Sequence, residues 1–505
     1  MFSFSKFESG QSNIFCKKEN HALVSSNYYK EALSEDYEVI VNGEKVPVYT
    51  CCISKYPFNT EWPGYQRPIE QTETASFVNL VSDEELKVEV VVKKEYKKLI
   101  LKPYSRNISY EEDNGKIKFT LSENGQFVLN TDSYHHCLYI FNSKPITPPE
   151  KESVTYYFGP GVHMTGRIVL SSNESVYIDK DALVFGCIYA KNAENIHIFG
   201  NGLLDDIGEG RIEEKCYEMF TNGNLKFYDC KNVNIEGIMM RNSAIWCVNV
   251  FHCFNVMLDG IKVFGQWRYN ADGVDIVNSQ NVTLRNSFIH SFDDTVTIKG
   301  VDLYAKTDNE NILTENCVLW CDWGKTCEIG LETTCRRYKN IIFRNCDILR
   351  AGDTALGIQN GDCAEVSEVV FENINVDYNC YDTLYQFQKF FDQPYTNHDK
   401  VAIPHLIRFT NNPYRDGFTQ ELDIEGIQSG TIHDIVCRNI NVHYDEEIPM
   451  VDGKYNVPVT VNNKDNITHY NIQVSNVKIN GTYADENNTI VFLNGVKNFT
   501  FKKEN

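Results

Sequence analysis

Apolar and polar residues alternate in short runs from about residue 37 to residue 144. Runs such as YEVIVNGEKVPVYT and GKIKFTLSENGQFVLN place an apolar side chain at every second position, and Asn-Gly pairs stand at 42–43, 114–115 and 124–125. Period-two alternation broken by Asn-Gly is typical of antiparallel hairpins. We therefore predict a β-sandwich of about 110 residues here. The proline-rich stretch KPITPPEKES would join it to the rest of the chain.

A second pattern begins near residue 156, where a short phrase of Asn followed by alternating aliphatic residues recurs. Copies begin at Asn195, Asn232, Asn255, Asn281, Asn311 and Asn340, with a weaker copy at Glu368. The spacings are 37, 23, 26, 30, 29 and 28 residues. A repeat of this length with two strand-like pieces per copy predicts a solenoid, and the near absence of helical periodicity favours a parallel β-helix. Asn at the corner of each coil tolerates positive φ, and stacked Asn side chains can hydrogen-bond between coils.

These patterns predict an all-β chain with three parts. We expect an N-terminal arm at 1–22, an antiparallel β-sandwich at 23–150, and a right-handed parallel β-helix at 151–505. The repeat is interrupted at about 376–430 by a stretch rich in aromatic and turn residues. A long insertion in a solenoid maps to a loop on one face, which is often the binding face.

Composition and charge narrow the classes of partner. The chain has 505 residues and a formal net charge of −21, which disfavours nucleic acid, anionic membrane surfaces and polyanionic substrates. No run of 18 apolar residues occurs, so no membrane partner is expected. The 17 cysteines form no paired metal-binding motif, which favours reduced cysteines in the core and no metal or cofactor. Because the N-terminus has no basic start followed by an apolar stretch, we expect a cytoplasmic protein, or an extracellular one if a signal was removed.

Three aspartates carry the chemistry that the sequence indicates. Asp272 precedes the pair Asp293 and Asp294 by 21 residues, which is close to one coil of the predicted solenoid. Neighbouring coils lie about 4.8 Å apart, so one carboxyl group would lie above a carboxyl pair on a solvent-facing wall. An acid and a base of this kind are the minimum equipment for cleaving a glycosidic bond.

The aspartate segment resembles the glycoside hydrolase family 28 polygalacturonases and the related family 49, which contains the dextranases and isopullulanases. The family 28 pattern reads N-T-D, then D-D, then G-H-G, then R-I-K. Here the first two motifs stand as Asn270-Ala271-Asp272 and Asp293-Asp294, with Lys299 after four further residues. The resemblance covers roughly residues 156–373. It implies a β-helix with the three aspartates at its active site.

The third and fourth motifs depart from family 28. Lys325 stands at the histidine position of G-H-G, and Gly357-Ile358-Gln359 stands at R-I-K. In polygalacturonases that Arg and Lys hold the galacturonate carboxylate, and their absence removes two charge-assisted hydrogen bonds to an acidic sugar. A β-sandwich before the β-helix resembles family 49, whose substrates are neutral α-glucans.

The resemblance implies an inverting glycoside hydrolase that cleaves α-glycosidic bonds of a neutral oligo- or polysaccharide. An α-glucan or dextran-type substrate is favoured, and a cytoplasmic location favours exo action on short oligosaccharides. Asp293 is the expected general acid, whereas Asp272 and Asp294 hold and deprotonate the attacking water. Three carboxylates this close cannot all ionise cheaply, so one should keep its proton to a higher pH.

The residues expected to bind the sugar are aromatic and polar neighbours of this segment. Aromatic faces stack on the apolar faces of sugar rings, and polar groups bind the hydroxyls. Trp246 follows an apolar residue and is interpreted as core, while Glu328 either binds hydroxyls or is itself the acid. The set is Asn270, Trp267, Arg268, Tyr269, Lys299, Trp320, Trp323, Lys325, Glu328 and Gln359.

Three other functions stay open from the sequence. The first is a polygalacturonase or pectin-oligosaccharide hydrolase, and the second is a β-helix polysaccharide lyase. The third is a solenoid that binds carbohydrate without catalysis, since a fold alone does not prove activity. The sequence does not predict the oligomeric state, and a homo-oligomer is compatible with it.

Overall fold

The computed structural model describes the chain except residues 10–12, 19–23, 26–28, 56–67, 132, 211–222, 379–404, 412–423, 425, 446, 449, 464–466 and 505. The described part is all β, as the sequence predicts. It consists of a sandwich followed by a parallel β-helix. The sandwich is antiparallel as predicted except where Thr72–Val81 and Ser133–Ser143 pair in parallel. Short 3-10 turns lie at Ile69–Gln71, Tyr104–Arg106, Lys151–Ser153 and Asp302–Tyr304. None of the described residues lies in a helix long and apolar enough to cross a membrane.

The sandwich has one sheet of six strands and one of five. The first contains Ser3–Phe4, Tyr49–Ser54, Thr72–Val81, Leu99–Lys102, Gly125–Thr131 and Ser133–Ser143. The second contains Tyr37–Val41, Glu44–Val46, Leu86–Val92, Tyr110–Asp113 and Lys116–Leu121. Their alternating apolar residues meet in one core, for example Val39, Val88, Ile117 and Leu129, all at most 2% exposed. The alternation that predicted this module is therefore the packing interface of its two sheets.

The β-helix has three stacks of parallel strands. The site stack contains Gly161–Leu170, Ala182–Lys191, Leu225–Tyr228, Val248–Phe251, Val274–Val277, Val296–Gly300, Lys325–Thr333, Thr354–Asn360, His405–Asn411, Lys454–Asn462 and Thr489–Asn494. The outer stack contains Tyr156–Phe158, Ser175–Ile178, Glu194–Gly200, Lys231–Glu236, Phe254–Asp259, Gln280–Arg285, Asn309–Glu315, Arg337–Arg344, Glu365–Tyr378, Ile432–Tyr444, His469–Ile479 and Val496–Lys502. The sandwich stack contains Leu203–Asp205, Met239–Arg241, Lys262–Val263, Phe288–Ser291, Val318–Cys321 and Asp347–Arg350. Met450–Val451 and Thr482–Tyr483 form short antiparallel additions.

The corner asparagines behave as the sequence predicts. Asn232, Asn255, Asn281 and Asn311 all have φ between 55° and 60°. Each donates a side-chain hydrogen bond to the Asn one coil earlier, at 2.9–3.1 Å. Asparagine tolerates the left-handed backbone at these corners. Its side chains also form a hydrogen-bonded column that fixes the register of the coils.

The sandwich packs on the sandwich stack through a largely apolar interface, which also contains a hydrogen bond of 2.8 Å between the Tyr139 hydroxyl and His290 Nδ1. Phe77 and Phe141 of the sandwich meet Phe264, Phe288 and Trp320 of the β-helix, and all five are 0% exposed. Ring centroids of Phe141 and Phe288 lie 5.3 Å apart. One face of the β-helix is therefore covered by the sandwich, and the site stack is a different face.

Two predicted boundaries need correction. The predicted arm at 1–22 contributes structure, because Ser3–Phe4 joins the sandwich and Ile14–Cys16 pairs with Tyr156–Phe158 of the β-helix. The predicted insertion at about 376–430 contains a regular strand, His405–Asn411, which pairs with Thr354–Asn360. Much of the remaining insertion lies outside the described residues. The fifteen described cysteines are free, and most are buried, in accord with a core role.

Candidate active site

The three predicted aspartates come together where the chain passes from the sandwich stack to the site stack. The N–H of Gly273 donates to the carbonyl of Asp294 at 2.8 Å, and the N–H of Asp293 donates to the carbonyl of Ala271 at 3.3 Å. These two bonds place the backbone of Asp272 directly on that of the pair, one coil apart. The spacing of 21 residues therefore places Asp272 one coil away from Asp293 and Asp294, as the sequence predicted.

The exposure of the trio differs from the prediction. Asp272 is 2% exposed and Asp294 is 8% exposed, whereas Asp293 is half-buried. The expected solvent-facing wall of three carboxyl groups is thus a site with one accessible acid and two deeper ones. The reason is that neighbouring side chains on the same face cover Asp272 and Asp294.

Lys299 covers the deep side of the site. Its ammonium lies 2.9 Å from Asp272 Oδ2 and 3.0 Å from Asp275 Oδ1, and 3.8 Å from the centre of the Trp246 ring. Burial raises the pKa of Asp272 well above its usual value and that of Asp275 to about 7, while the lysine opposes both shifts. A single cation thus holds two buried carboxyl groups in place.

Asp293 has the properties of a carboxylic acid that keeps its proton near neutrality. Burial, with the neighbouring charge of Asp294, raises the pKa of Asp293 to about 7. Its Oδ2 lies 3.5 Å from the side-chain nitrogen of Asn270. Asp294, by contrast, accepts a hydrogen bond from the N–H of Lys325 at 2.8 Å and lies 3.8 Å from its ammonium. The pair therefore contains one group suited to donate a proton and one suited to carry negative charge.

Gly324 lies against the aspartate pair without a side chain between them. A Cβ atom at this position would lie 2.5 Å from Asp294 Oδ1 and 2.6 Å from Asp293 Oδ1. Any larger residue would push the pair out of place. The next coil therefore sets the position of both carboxyl groups from below.

Outward-facing polar residues continue along the site stack in one line, which we call the polar ladder. Pairing of the strands puts these residues in register, one per coil: Asn249, Asp275, Thr297, Glu328, Gly357 and Arg408. Asn249 Oδ1, Thr297 Oγ1 and both oxygens of Glu328 are buried without a hydrogen-bond partner among the described residues. Buried polar atoms of this kind are normally satisfied by water or a ligand. The ladder is therefore suited to bind hydroxyl groups.

Five of the predicted sugar-binding residues are partly exposed near the aspartates or along the same stack. They are Tyr269, Asn270, Trp323, Lys325 and Gln359. The Trp323 ring lies 6.4 Å from that of Tyr269 and 5.4 Å from that of Phe292, beside the acidic pair. Trp323 and Tyr269 can thus present aromatic surface to a sugar ring next to Asp293.

Three other predicted contacts do not fit their positions. Trp320 is 0% exposed in the interface with the sandwich, and Trp267 is 4% exposed with its N–H donated to Asn242. Arg268 is 7% exposed and donates to the carbonyls of Ile207 and Glu209. These side chains support the walls of the site, because they are buried and their hydrogen bonds go to other protein groups. Trp246, predicted as core, is 2% exposed.

The sequence did not single out three features of the site. Asp275 could have been found from its position, because it is the outward residue between Val274 and Ile276 in the coil of Asp272. The ion pair of Arg408 with Asp353, at 2.8 Å, joins residues 55 positions apart. Neither that pair nor the close approach of Gly324 has a local signal, since each depends on which coils are neighbours.

A group of ligand-type side chains lies away from the aspartates. One ligand atom each of Cys187, Asp206 and Glu209 lies within 4.8 Å of the others. Burial raises the pKa of Asp206 well above its usual value and that of Cys187 to about 12. Both would have to lose a proton before they could bind a metal ion.

Comparison with known proteins places this geometry in a family. The family model described as "Glycosyl hydrolases family 28" matches residues 158–413, about half of the chain. An exopolygalacturonase of Cochliobolus carbonum is 26% identical over 176 residues, which are 32% of this chain and 37% of that protein. A protein of Arabidopsis thaliana described as a probable polygalacturonase is 23% identical over 200 residues, 37% of this chain and 43% of that protein. The matched segments thus span less than half of these relatives.

A solved structure shares the fold over nearly the whole chain. Dex49A from Penicillium minioluteum superposes with a TM-score of 0.62 at 14% identity, covering 98% of this chain and 97% of that one. The match includes the part that precedes the β-helix, so the order of sandwich and β-helix is shared by both chains.

Proposed function

We propose that this chain cleaves α-glycosidic bonds of a neutral oligo- or polysaccharide with inversion of configuration. The chain belongs to glycosyl hydrolases family 28 and is therefore a glycoside hydrolase. The substrate that fits best is an α-glucan. The observation that carries the neutral substrate is the balance of charges around Asp293.

Three described cations beside Asp293 or along the polar ladder have carboxyl partners within the protein, whereas Lys226, one coil before Asn249, lies over the Tyr228 ring. Lys299 pairs with Asp272 and Asp275, Lys325 with Asp294, and Arg408 with Asp353. Asp293 and Glu328 add two further carboxyl groups without adding a cation. A sugar carboxylate beside Asp293 or Glu328 would meet this surplus of acids, while Lys299, Lys325 and Arg408 are already held by carboxyl groups of the protein. Neutral hydroxyl groups would meet the unsatisfied oxygens of the polar ladder.

The proposed mechanism uses the aspartates in two roles. Asp293 donates its proton to the glycosidic oxygen as the bond from that oxygen to the anomeric carbon breaks. Asp294 and Asp272 hold a water molecule and accept its proton as the water oxygen bonds to the anomeric carbon from the opposite face. The product then has the opposite anomeric configuration. Exchange with solvent returns a proton to Asp293 and removes one from the base.

Hydrolysis of galacturonan is the second candidate. It is favoured by the curated relatives, which are named as polygalacturonases. It requires a cation to hold the sugar carboxylate, and Gly357 and Gln359 stand where the resemblance places the Arg and Lys of R-I-K. Lys325 or Arg408 would have to leave its carboxyl partner to serve instead.

The two candidates are separated by a direct assay. Purified protein is incubated with isomalto-, malto- and nigero-oligosaccharides and with oligogalacturonides, and the anomer first formed is followed by NMR. We expect inverted products from an α-glucan. Asp293→Asn should lower kcat by at least 10³-fold with little change in binding, whereas Glu368→Gln, on the exposed outer stack, should keep full activity. Retained configuration would exclude the assigned roles, and turnover of galacturonides alone would establish the second candidate.

A further inference from the structure

We infer that Glu328 is a specificity-determining residue of this enzyme, which binds hydroxyl groups of the sugar unit beyond Asp294 and rejects a carboxylate there. This inference rests on the proposed neutral substrate and names the group that selects it.

Position is the first argument. Glu328 lies on the polar ladder one coil after Thr297, and the same coil begins with Lys325, whose N–H holds Asp294. Its own neighbour in the next coil is Gly357. Glu328 is therefore the first carboxyl group that a chain of sugars would meet when it runs along the site stack from the aspartate pair towards Arg408.

The space that Glu328 occupies is the second argument. A Cβ atom at Gly357 would lie 1.6 Å from Glu328 Oε2. The carboxyl group therefore fills the volume that a side chain at 357 would need, and the two positions form a matched pair. An arginine at 357, as in R-I-K, could not stand on this coil while Glu328 keeps its place.

The unsatisfied state of the carboxyl group is the third argument. Glu328 is 1% exposed, and neither oxygen has a hydrogen-bond partner among the described residues. Burial raises its pKa well above the usual value, against the opposing effect of Lys325. A carboxyl group accepts hydrogen bonds from sugar hydroxyls in either protonation state, and as the neutral acid it also donates one. A buried group left in this state costs stability, and a ligand hydroxyl would relieve that cost.

Charge is the fourth argument. The nearest cations are Lys325 and Arg408, and both are paired, with Asp294 at 3.8 Å and with Asp353 at 2.8 Å. A uronate carboxylate beside Glu328 would have to share a buried site with another acid, which disfavours both ionised groups. Rejection of an acidic sugar at this position therefore needs no steric block.

The test uses two variants of Glu328 and one matched control. Glu328→Gln keeps the shape and hydrogen-bonding capacity but cannot ionise, and Glu328→Ala removes both. Glu368→Gln is the control for loss of one exposed glutamate. Each is combined with Asp293→Asn for calorimetric binding of isomaltotriose, maltotriose, nigerotriose and trigalacturonic acid, and each is also assayed for turnover with Asp293 intact. Thermal unfolding confirms that each variant folds.

We expect Glu328→Ala to weaken binding of the preferred neutral trisaccharide by about 10- to 100-fold. Glu328→Gln should keep that binding within about threefold and should strengthen binding of trigalacturonic acid by about tenfold or more, because an amide cannot ionise beside the sugar carboxylate and can donate a hydrogen bond to it. If the wild-type enzyme cleaves neutral glycosides and both Glu328 variants keep the same selectivity, this inference is overturned and the proposed function stays intact. A wild-type enzyme that binds and cleaves only the galacturonide overturns both.

Discussion

Replacing Gly324 by alanine tests whether the position of the aspartate pair governs catalysis. The new Cβ would lie 2.5 Å from Asp294 Oδ1 and 2.6 Å from the amide nitrogen of Asp294. Ordinary contact begins near 3.4 Å, so the pair must retreat by about 0.9 Å. The contact includes backbone as well as side chain, so rotation of one carboxyl group cannot relieve it.

The expected cost is larger in rate than in stability. Inserting a methyl group into a packed site costs about 1–3 kcal/mol of folding free energy. A displacement of about 1 Å at the reacting groups costs on the order of 10²-fold in rate, because proton transfer requires hydrogen-bond geometry. We therefore expect Gly324→Ala to lower kcat by about 100-fold, with a smaller change in KM and a folded protein.

The assay compares kcat, KM and thermal unfolding of Gly324→Ala with those of Gly208→Ala. A Cβ at Gly208 would meet nothing within 4 Å, so this control carries the same chemical change without a clash. If Gly324→Ala keeps more than half of wild-type kcat, the pair is not held by this contact, and the proposed role of the next coil is wrong.

The remaining predictions concern protonation, the corner columns and the tryptophans. Because the pKa of Asp293 is raised to about 7, kcat should fall as pH rises through 7 and the acid loses its proton. The same shift means that the folded state loses stability as pH rises from about 4 to 7. Thermal unfolding of Asp293→Asn should therefore depend less on pH than that of the wild type. Asn281→Ala should cost about 2–3 kcal/mol in chemical denaturation, from two hydrogen bonds and a left-handed backbone, and Asn281→Gly should recover about 1 kcal/mol of this by removing the backbone strain. Trp323→Ala should raise KM at nearly unchanged stability, whereas Trp320→Ala should cost about 3–5 kcal/mol of folding free energy; equal effects of the two on KM would contradict the positions described above.

The sequence predicted those features that depend on local requirements. Each corner needs left-handed backbone, and Asn is the residue that tolerates it, so Asn232, Asn255 and Asn281 marked the coils before any contact was known. The distance along the chain from Asp272 to Asp293 is set by the length of one coil. Both signals are contained within about 30 residues, which is why the β-helix and the aspartate cluster could be predicted together.

The errors arose where distant segments meet. In the sequence, Trp320 stands between apolar and polar residues, and this pattern suits a binding loop and a domain interface equally. In the fold, Trp320 packs against Tyr139 and Phe141 of the sandwich, which lie about 180 residues earlier in the chain. The burial of Asp272 depends on Lys299 and Trp246 from two other coils. Arg408 lies in a stretch that the sequence analysis interpreted as an insertion, so its ion pair with Asp353 could not be predicted.

The register of the site stack explains how such an enzyme can change substrate without changing its chemistry. Each coil contributes one outward residue to the polar ladder, and Asp272, Asp293 and Asp294 lie where their coils enter the site stack rather than on the ladder itself. A change at Glu328 or Gly357 therefore alters contacts with the sugar and leaves the three aspartates in place, whereas Asp275 shares Lys299 with Asp272. Glu328 and Gly357 are coupled because one fills the space above the other, so selectivity for charge would change through this pair. An arginine at 357 should be accommodated only when Glu328 is replaced by a shorter residue. The double variant Glu328→Ser with Gly357→Arg should therefore bind trigalacturonic acid more tightly than either single variant.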